Sequence, residues 1–584
     1  MKQWDLSILY ASFEDPQLAL DQKRIEEQIK ALTKLTESLT SNKHTVEDNL
    51  LSYYRITNAL TDDLDVLGNF AFLNYAVDTK NTDALKLIEK VESYNPDLTV
   101  AEVRYRKWLG TIDHLDEIIA AEPKLAIYAF NIRSEKDKAT YMLSDAEEAL
   151  LAELKNTGSN AWSKLQDTSI SSLTADYEGE EIPITVIRNY AYDADANKRK
   201  KAYDAEIKSY DKIASNSAAA LNAIKGEVIS VANRRGYKSP LEMTLKSSRM
   251  DQETLDAMMI AIKEYLPKFR SYMKKKATLL GHDQGLPFYD LFAPIGDVDL
   301  TYSYDEARDF VVDNFTSYSK SLGDYAANAF EHNWIDPEPR EGKVAGAFCS
   351  NIHGKKESRI MANFTGSYND VSTLGHELGH GYHGECLKDL EAVNSDYPMP
   401  LAETASIFCE TIIANAALAT ASKEAALVIT ENAIMSANQV ITDIYSRYLF
   451  ETKLFEGRKT GSLSVDELKE AMISAQKEAY GDGLDPECLH PYMWVCKPHY
   501  YSASSNFYNF PYAFGLLFAK GLYAMYQKEG SAFLDKYDTL LRATGSNNIK
   551  DVLATVGVDS HDPDFFRASL ALIAEDIDFF IAEA

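Results

Sequence analysis

The sequence predicts a mainly α-helical protein with only a little sheet. Three observations carry this. Apolar residues recur at three-, four- and seven-residue steps through most of the chain, the pattern of helices that bury one stripe. Gly and Pro are sparse, 27 and 17 in 584 residues, so few positions interrupt helix. Strand signals are confined to a few short stretches. Hydrophobic residues at 45% and charged residues at 26% are ordinary globular values and exclude a disordered or fibrous chain. The length suits roughly four domains, or fewer large ones, with a core that needs no disulfide or metal to fold.

In order along the chain, 18–40 carries Ile25, Ile29, Leu32 and Leu39 on one face with Lys and Glu between them, and 45–155 continues in helical spacing. TSISSLTADYEGEEIPITVIRN (168–189) reads as a hairpin around Gly179, and helix restarts at NKRKKAYDAE. A soft boundary near 190 separates an N-terminal helical region, 1–190, from a helical catalytic region, 191–584. Segments 196–235, 252–280 and 304–331 are helical, with a Pro/Gly-punctuated crossing at 282–302. Residues 334–350 form a loop leading to a strand, and SRIMANF (358–364) reads as a second strand. That second strand is either structural or an edge that an extended peptide could join. Helical spacing returns at 401–420, 422–455, 464–480, 511–528 and 561–582.

Lys and Arg number 60 and Asp and Glu 89, a net charge of −29. Such a chain repels nucleic acid and anionic membranes, so neither is expected as a partner. The five cysteines form no CxxC pair, no run approaches 18 apolar residues, and MKQWDLSILYASFED is broken by acidic residues. A reducing, cytoplasmic setting is the expectation.

The most informative stretch is STLGHELGHGYHGEC (372–386), which contains His376-Glu377-Leu378-Gly379-His380. On a helix, positions i and i+4 share a face, so two imidazoles can grip one Zn²⁺. Glu377 sits about 100° round the helix, able to reach a metal-held water without being a ligand. Gly375, Gly379, Gly381 and Gly384 make this a poor helix by propensity, which makes sense if something approaches its backbone closely. A catalytic zinc site needs a third protein ligand. Glu385 and Asp389 fall on the wrong face. After the break in EAVNSDYPMP, the helix LAETASIFCETIIANAALA offers Glu403 near its start as third ligand. Glu410, seven residues on, would orient a ligand histidine. The two glutamates could also exchange roles, or Glu410 could be a surface carboxylate. His383 either lines the cleft or packs in the core. Cys386 and Cys409 read as buried thiols.

HELGHGYH followed by LAETASIFCE resembles the thimet-oligopeptidase-like zinc metallopeptidases, and most of all their oligoendopeptidase F branch. WDLSILY, GAFCSNIHGKKESRIMANFTGSYNDVSTLGHELGH and HYYSASSNFYNFPYAFGLLFA are similar to that branch as well. The resemblance implies a two-lobed helical zincin around a deep channel, with a small sheet near the active site. It implies one zinc per chain, held by His376, His380 and Glu403 with Glu377 as general base. It implies endopeptidase action on short peptides and oxyanion stabilisation by His499, Tyr508 and Tyr512, and it does not imply an obligate protein partner. As donors, those three side chains could meet developing negative charge; as aromatics, they could equally be core. Two other functions share much of this sequence logic. A helical metallocarboxypeptidase would need a group that recognises a free carboxylate. A non-catalytic peptide-binding protein would have no use for Glu377.

Overall fold

The computed structural model describes residues 2–296 and 300–584. Helix dominates and the sheets are small. The chain divides into two compact units, each assembled from separate stretches of sequence. The first comprises Met1–Met142, Leu300–Ala416 and Met525–Val558; the second comprises Leu143–Asp299, Ala417–Ala524 and Asp559–Ala584. Part of the crossing read at 282–302, namely 297–299, lies outside the described residues.

The first unit opens with helices Pro16–Ser38 and Val46–Val77. Asp15 caps the first through the Gln17 amide, and Thr45 caps the second through Asp48. Ile25, Ile29, Leu32 and Leu39 are all buried, as their spacing requires. They join an aromatic core in which Tyr53 stacks on Tyr105 and Tyr54 on Tyr128. The later stretches add a three-stranded sheet and the helix Tyr368–Leu387, which carries the HELGH motif. The region read as one helix over 304–331 is two, Tyr304–Tyr318 and Lys320–Glu331, because Ser319 turns to an extended conformation between them.

In the second unit, strands β1 (Thr174–Tyr177) and β2 (Glu180–Pro183) pair antiparallel around Glu178-Gly179. Both turn residues have positive φ, 56° and 91°, as a two-residue hairpin turn demands. Helices Gln252–Leu279 and Pro563–Glu583 pack side by side. Ion pairs lie in the interior, among them Lys225 with Glu451 at 3.0 Å and Lys276 with Glu431 at 2.8 Å. The 422–455 region stays helical but widens at Gln439–Asp443 into a π-turn between Lys423–Asn438 and Ile444–Thr460.

The sheet of the first unit contains β3 (Ile335–Asp336), β4 (Phe348–Ile352) and β5 (Glu357–Met361) in the order β3-β5-β4. SRIMANF is therefore a strand, but a central one: β5 pairs antiparallel with β4 and parallel with β3. The reading of SRIMANF as an edge for an added peptide is corrected by this order. The outer strand beside it is β4, whose second edge is not bonded to a strand of this sheet.

Candidate active site

The motif helix, Tyr368–Leu387, begins with a capping box between Ser367 and Asp370. Its glycines are explained by what touches it. A Cβ on Gly379 would lie 2.6 Å from both the Ala405 carbonyl oxygen and Ser406 Cα, and one on Gly375 would lie 2.8 Å from Ile413. The neighbour is helix Thr404–Thr420, pressed backbone to backbone on the motif helix. By length and composition the stretch Met399–Thr420 could cross a membrane, yet Ala405, Phe408, Cys409 and Ile413 are buried in the core. Gly379→Ala is expected to destabilise the protein by about 1–3 kcal/mol, because overpacking outweighs the roughly 1 kcal/mol gained in helix propensity. A calorimetric Tm at or above that of the parent would show that the two helices can part without cost.

On the other side, the motif helix is tied to the sheet by a chain of hydrogen bonds. Tyr325 donates to Ser358 at 3.0 Å, Ser358 to Asn351 at 2.9 Å, and Asn351 Nδ2 to the His380 carbonyl at 3.1 Å.

The close helix contact delivers Glu403 to the two histidines. Glu403 sits at a break between the short turn Met399–Ala402 and helix Thr404–Thr420, so its side chain leaves from a junction. Its Oε2 lies 3.4 Å from His376 Nε2 and 3.4 Å from His380 Nε2. Donor atoms of the three residues all fall within 4.8 Å of one another. A separation of 3.4 Å is long for a hydrogen bond. It equals the edge of a tetrahedron whose centre is about 2.1 Å from each corner, the zinc–ligand distance. The donor set therefore fits a zinc ion. The Ser406 hydroxyl donates to Glu403 at 2.8 Å and steadies it. Glu410 reaches the far nitrogen of His376, Nδ1, at 3.3 Å, the outer position that fixes an imidazole's orientation. Of the carboxylates placed on the wrong face, Asp389 pairs with Lys356 and Glu385 with Lys388.

Electrostatics follow from this crowding. Burial pushes His376 down, but hydrogen bonds to Glu403 and Glu410 and their charge outweigh it and bring it to about 10. Burial pushes Glu403 up, but hydrogen bonds with His376 and His380 hold it well below the usual carboxylate range. Glu377, 6% exposed, is raised, chiefly by burial; the histidine charges and a bond to the Cys349 backbone oppose the shift. A raised carboxylate is the more effective proton acceptor near neutrality.

His383 is a packed residue. It is buried, stacks on Tyr397 with ring centres 4.1 Å apart, and meets Thr544 Oγ1 at 2.8 Å. Thr544 gives its own proton to the Leu541 carbonyl, so His383 Nε2 is the donor. Burial drives His383 down to about 3, whereas an unfolded imidazole titrates near 6.5. Between these values the unfolded chain binds more protons, so stability rises with pH through that window. It is lost on acidification at about 1.4 kcal/mol per pH unit below 6.5. Denaturant titrations of His383→Gln at pH 7 and pH 5 are expected to show a smaller acid loss than the parent. An equal loss would remove His383 as its source.

His499, Tyr508 and Tyr512 belong to the second unit and lie together there. Tyr508 and Tyr512 share a hydrogen bond of 2.8 Å, and the His499 and Tyr508 rings stack with centres 5.9 Å apart. The loop before Tyr508 is pinned from below. Lys225 donates to Asn506 Oδ1 at 2.7 Å, and Glu451 accepts from the Phe507 amide at 2.9 Å. Phe507 is held at φ 50°, a costly conformation for a bulky residue. Arg447 can only donate, so it faces Asn509 Oδ1, at 3.1 Å. The Asn509 NH2 then points at His499 Nε2, at 2.7 Å, which leaves the imidazole proton on Nδ1. Burial, with the charges of Arg447, Lys497 and Lys225, pushes His499 down to about 3, so it is a neutral donor.

The sequence profile of peptidase family M3 matches residues 189–572, well over half of the chain. The chain belongs to peptidase family M3. An oligopeptidase F profile matches 111–174, so the N-terminal region is similar to that branch too. This M3 oligopeptidase is 24% identical over 594 residues to the oligoendopeptidase F homolog of Lactococcus lactis subsp. lactis, covering 97% of this chain and 95% of the relative. It is 26% identical over 480 residues to oligopeptidase PepF of Bacillus subtilis, covering 80% of this chain and 70% of the relative. The fold is shared with the crystal structure of oligoendopeptidase-F from Enterococcus faecium, at TM-score 0.68 and 18% identity over 96% of this chain and 99% of the other. A solved chain from Chlamydophila abortus superposes at TM-score 0.86 and 20% identity, covering 100% and 98%.

Several residues around these M3 side chains carry no sequence signal. Cys349, Asn351, Asn509, Arg447 and Glu451 have no diagnostic spacing. Only the glycines hinted at neighbours, and nothing said which residues those would be.

Proposed function

We propose that this M3 oligopeptidase cleaves internal bonds of short peptides with one zinc ion held by His376, His380 and Glu403. The observation that carries this reading is the pair of 3.4 Å separations between Glu403 Oε2 and the two imidazole Nε2 atoms. When bound, zinc would polarise the scissile carbonyl and acidify the water it holds. Glu377, beside the ligand pair and raised by burial, takes a proton from the attacking water and passes it to the leaving amine nitrogen. Glu410 keeps His376 turned so that Nε2 faces Glu403. The roles of Tyr508, Tyr512 and His499 as oxyanion donors rest on the resemblance to oligoendopeptidase F, supported by their clustering and by the neutral state of His499.

Digestion of a mixed peptide pool with and without a chelator, read by mass spectrometry, tests the reading. Metal-dependent cuts at internal bonds of short peptides, including peptides blocked at both ends, are expected. Cleavage confined to free C-termini would instead make the protein a carboxypeptidase. No cleavage with metal bound would leave a peptide-binding protein.

A further inference from the structure

The second unit holds a partly open cavity of about 120 Å³, lined in part by Arg447 and Lys497, which also surround the Asn509–His499 pair. A single water needs roughly 10–15 Å³ on the same measure, so there is room for a small organic molecule. Its lining includes the aromatics Tyr192 and Phe292, which stack at 5.0 Å, with Phe288 and Tyr203. The lining also includes the cations Arg188, Arg199, Arg447 and Lys497.

Three of these cations already have carboxylates. Arg199 pairs with Asp290 at 2.7 Å, Arg188 with Glu206 at 3.1 Å, and Arg447 with Asp443. Those carboxylates have further donors. Tyr480 donates to Asp443 at 3.0 Å and Tyr210 to Glu206 at 2.8 Å, while His282 meets Asp290 at 2.6 Å and His490 meets Glu206 at 3.3 Å. Lys497 is left over, with no carboxylate within ion-pair distance and no hydrogen-bond acceptor among the described residues. Arg447, partly exposed, has a buried Nε with no acceptor. The nearest opposing charge is Asp443, which is already bonded to Arg447 and Tyr480, and a cation in a partly enclosed site with no partner of its own is costly. Burial and the neighbouring guanidinium of Arg447 hold Lys497 below its usual range against the opposing charge of Asp443, a cost that an incoming anion would relieve.

We infer that this cavity binds a small carboxylate with an aromatic body, its anionic end at Lys497 and its ring against Tyr192, Phe288 and Phe292. A convergent charge in an aromatic-lined hollow is the general form of such sites. The carboxylate could belong to a free acid or to a peptide C-terminus. The inference can fail separately from the proposed peptidase mechanism, since its test reads binding rather than turnover.

The test is calorimetric titration of the full zinc-loaded protein with phenylacetate, representing a free acid, and N-acetyl-phenylalanine, representing a peptide terminus. The matching uncharged amides serve as controls. At least one acid is expected to bind at least ten-fold tighter than its amide. Lys497→Met is expected to weaken that acid at least ten-fold, and Lys497→Arg to retain it. Which acid binds identifies the source. The inference is overturned if neither acid binds, if acid and amide bind alike, or if Lys497→Met binds the acid as the parent does. The last result would point to ligation of the zinc, which that variant leaves in place.

Discussion

Glu377→Gln is expected to lower kcat on a short peptide by at least 10²–10⁴-fold, the usual contribution of a positioned general base. Zinc content should be unchanged. The substitution is nearly isosteric and the side chain is buried against the Cys349 backbone, so no cavity forms. What disappears is the acceptor for the water proton. Glu377 is not among the groups whose donor atoms converge with those of His376 and His380; Glu403 is. Parallel measurement of kcat and of zinc per chain separates the two roles. Loss of zinc together with activity would make Glu377 a ligand, and retained turnover with zinc bound would remove it as the base.

The second large effect is expected at Glu403. Replacing an outer residue that merely orients a ligand typically weakens metal binding about 10–100-fold. Glu410→Gln is expected in that range. Glu403→Ala removes a direct ligand and its charge, so zinc affinity should fall well beyond 100-fold and activity with it. Competition with a chromophoric chelator measures both variants. The opposite order would exchange the two glutamates. A proton linkage accompanies the metal. Because Glu403 and Glu410 keep metal-free His376 protonated up to about pH 10, zinc uptake at neutral pH must displace that proton. Apparent affinity is therefore expected to weaken as pH falls. Zinc binding enthalpies measured in buffers of differing ionisation enthalpy should report proton release.

The parts of this molecule that were legible in its sequence are those fixed by local pattern. Ile25, Ile29 and Leu32 announce a buried stripe, Gly179 announces a hairpin, and HELGH announces two imidazoles on one helical face. Rotation round the motif helix sets aside Glu385 and Asp389, and the start of the next helix offers Glu403, with Glu410 left as the alternative. The motif glycines signalled a close neighbour, and helix Thr404–Thr420 is that neighbour. What escaped depends on long-range pairing. SRIMANF has the composition of a strand wherever it lies in a sheet, so its central place between β3 and β4 cannot be read from it. Ser319 and the π-turn at Gln439–Asp443 interrupt helices without a Gly or Pro to mark them. The Arg447–Asn509–His499 chain joins residues 62 and 10 positions apart and is set by tertiary packing alone. The two units each gather three separate stretches, a division invisible to a linear scan for linkers.

One measurement bears on the central claim most directly: an anomalous difference map at the zinc absorption edge from crystals of the zinc-loaded protein. A single strong peak is predicted, about 2.0–2.1 Å from His376 Nε2, His380 Nε2 and a carboxylate oxygen of Glu403. A map with no peak at these three side chains, or with a peak held by Glu410 while Glu403 turns away, would contradict the account.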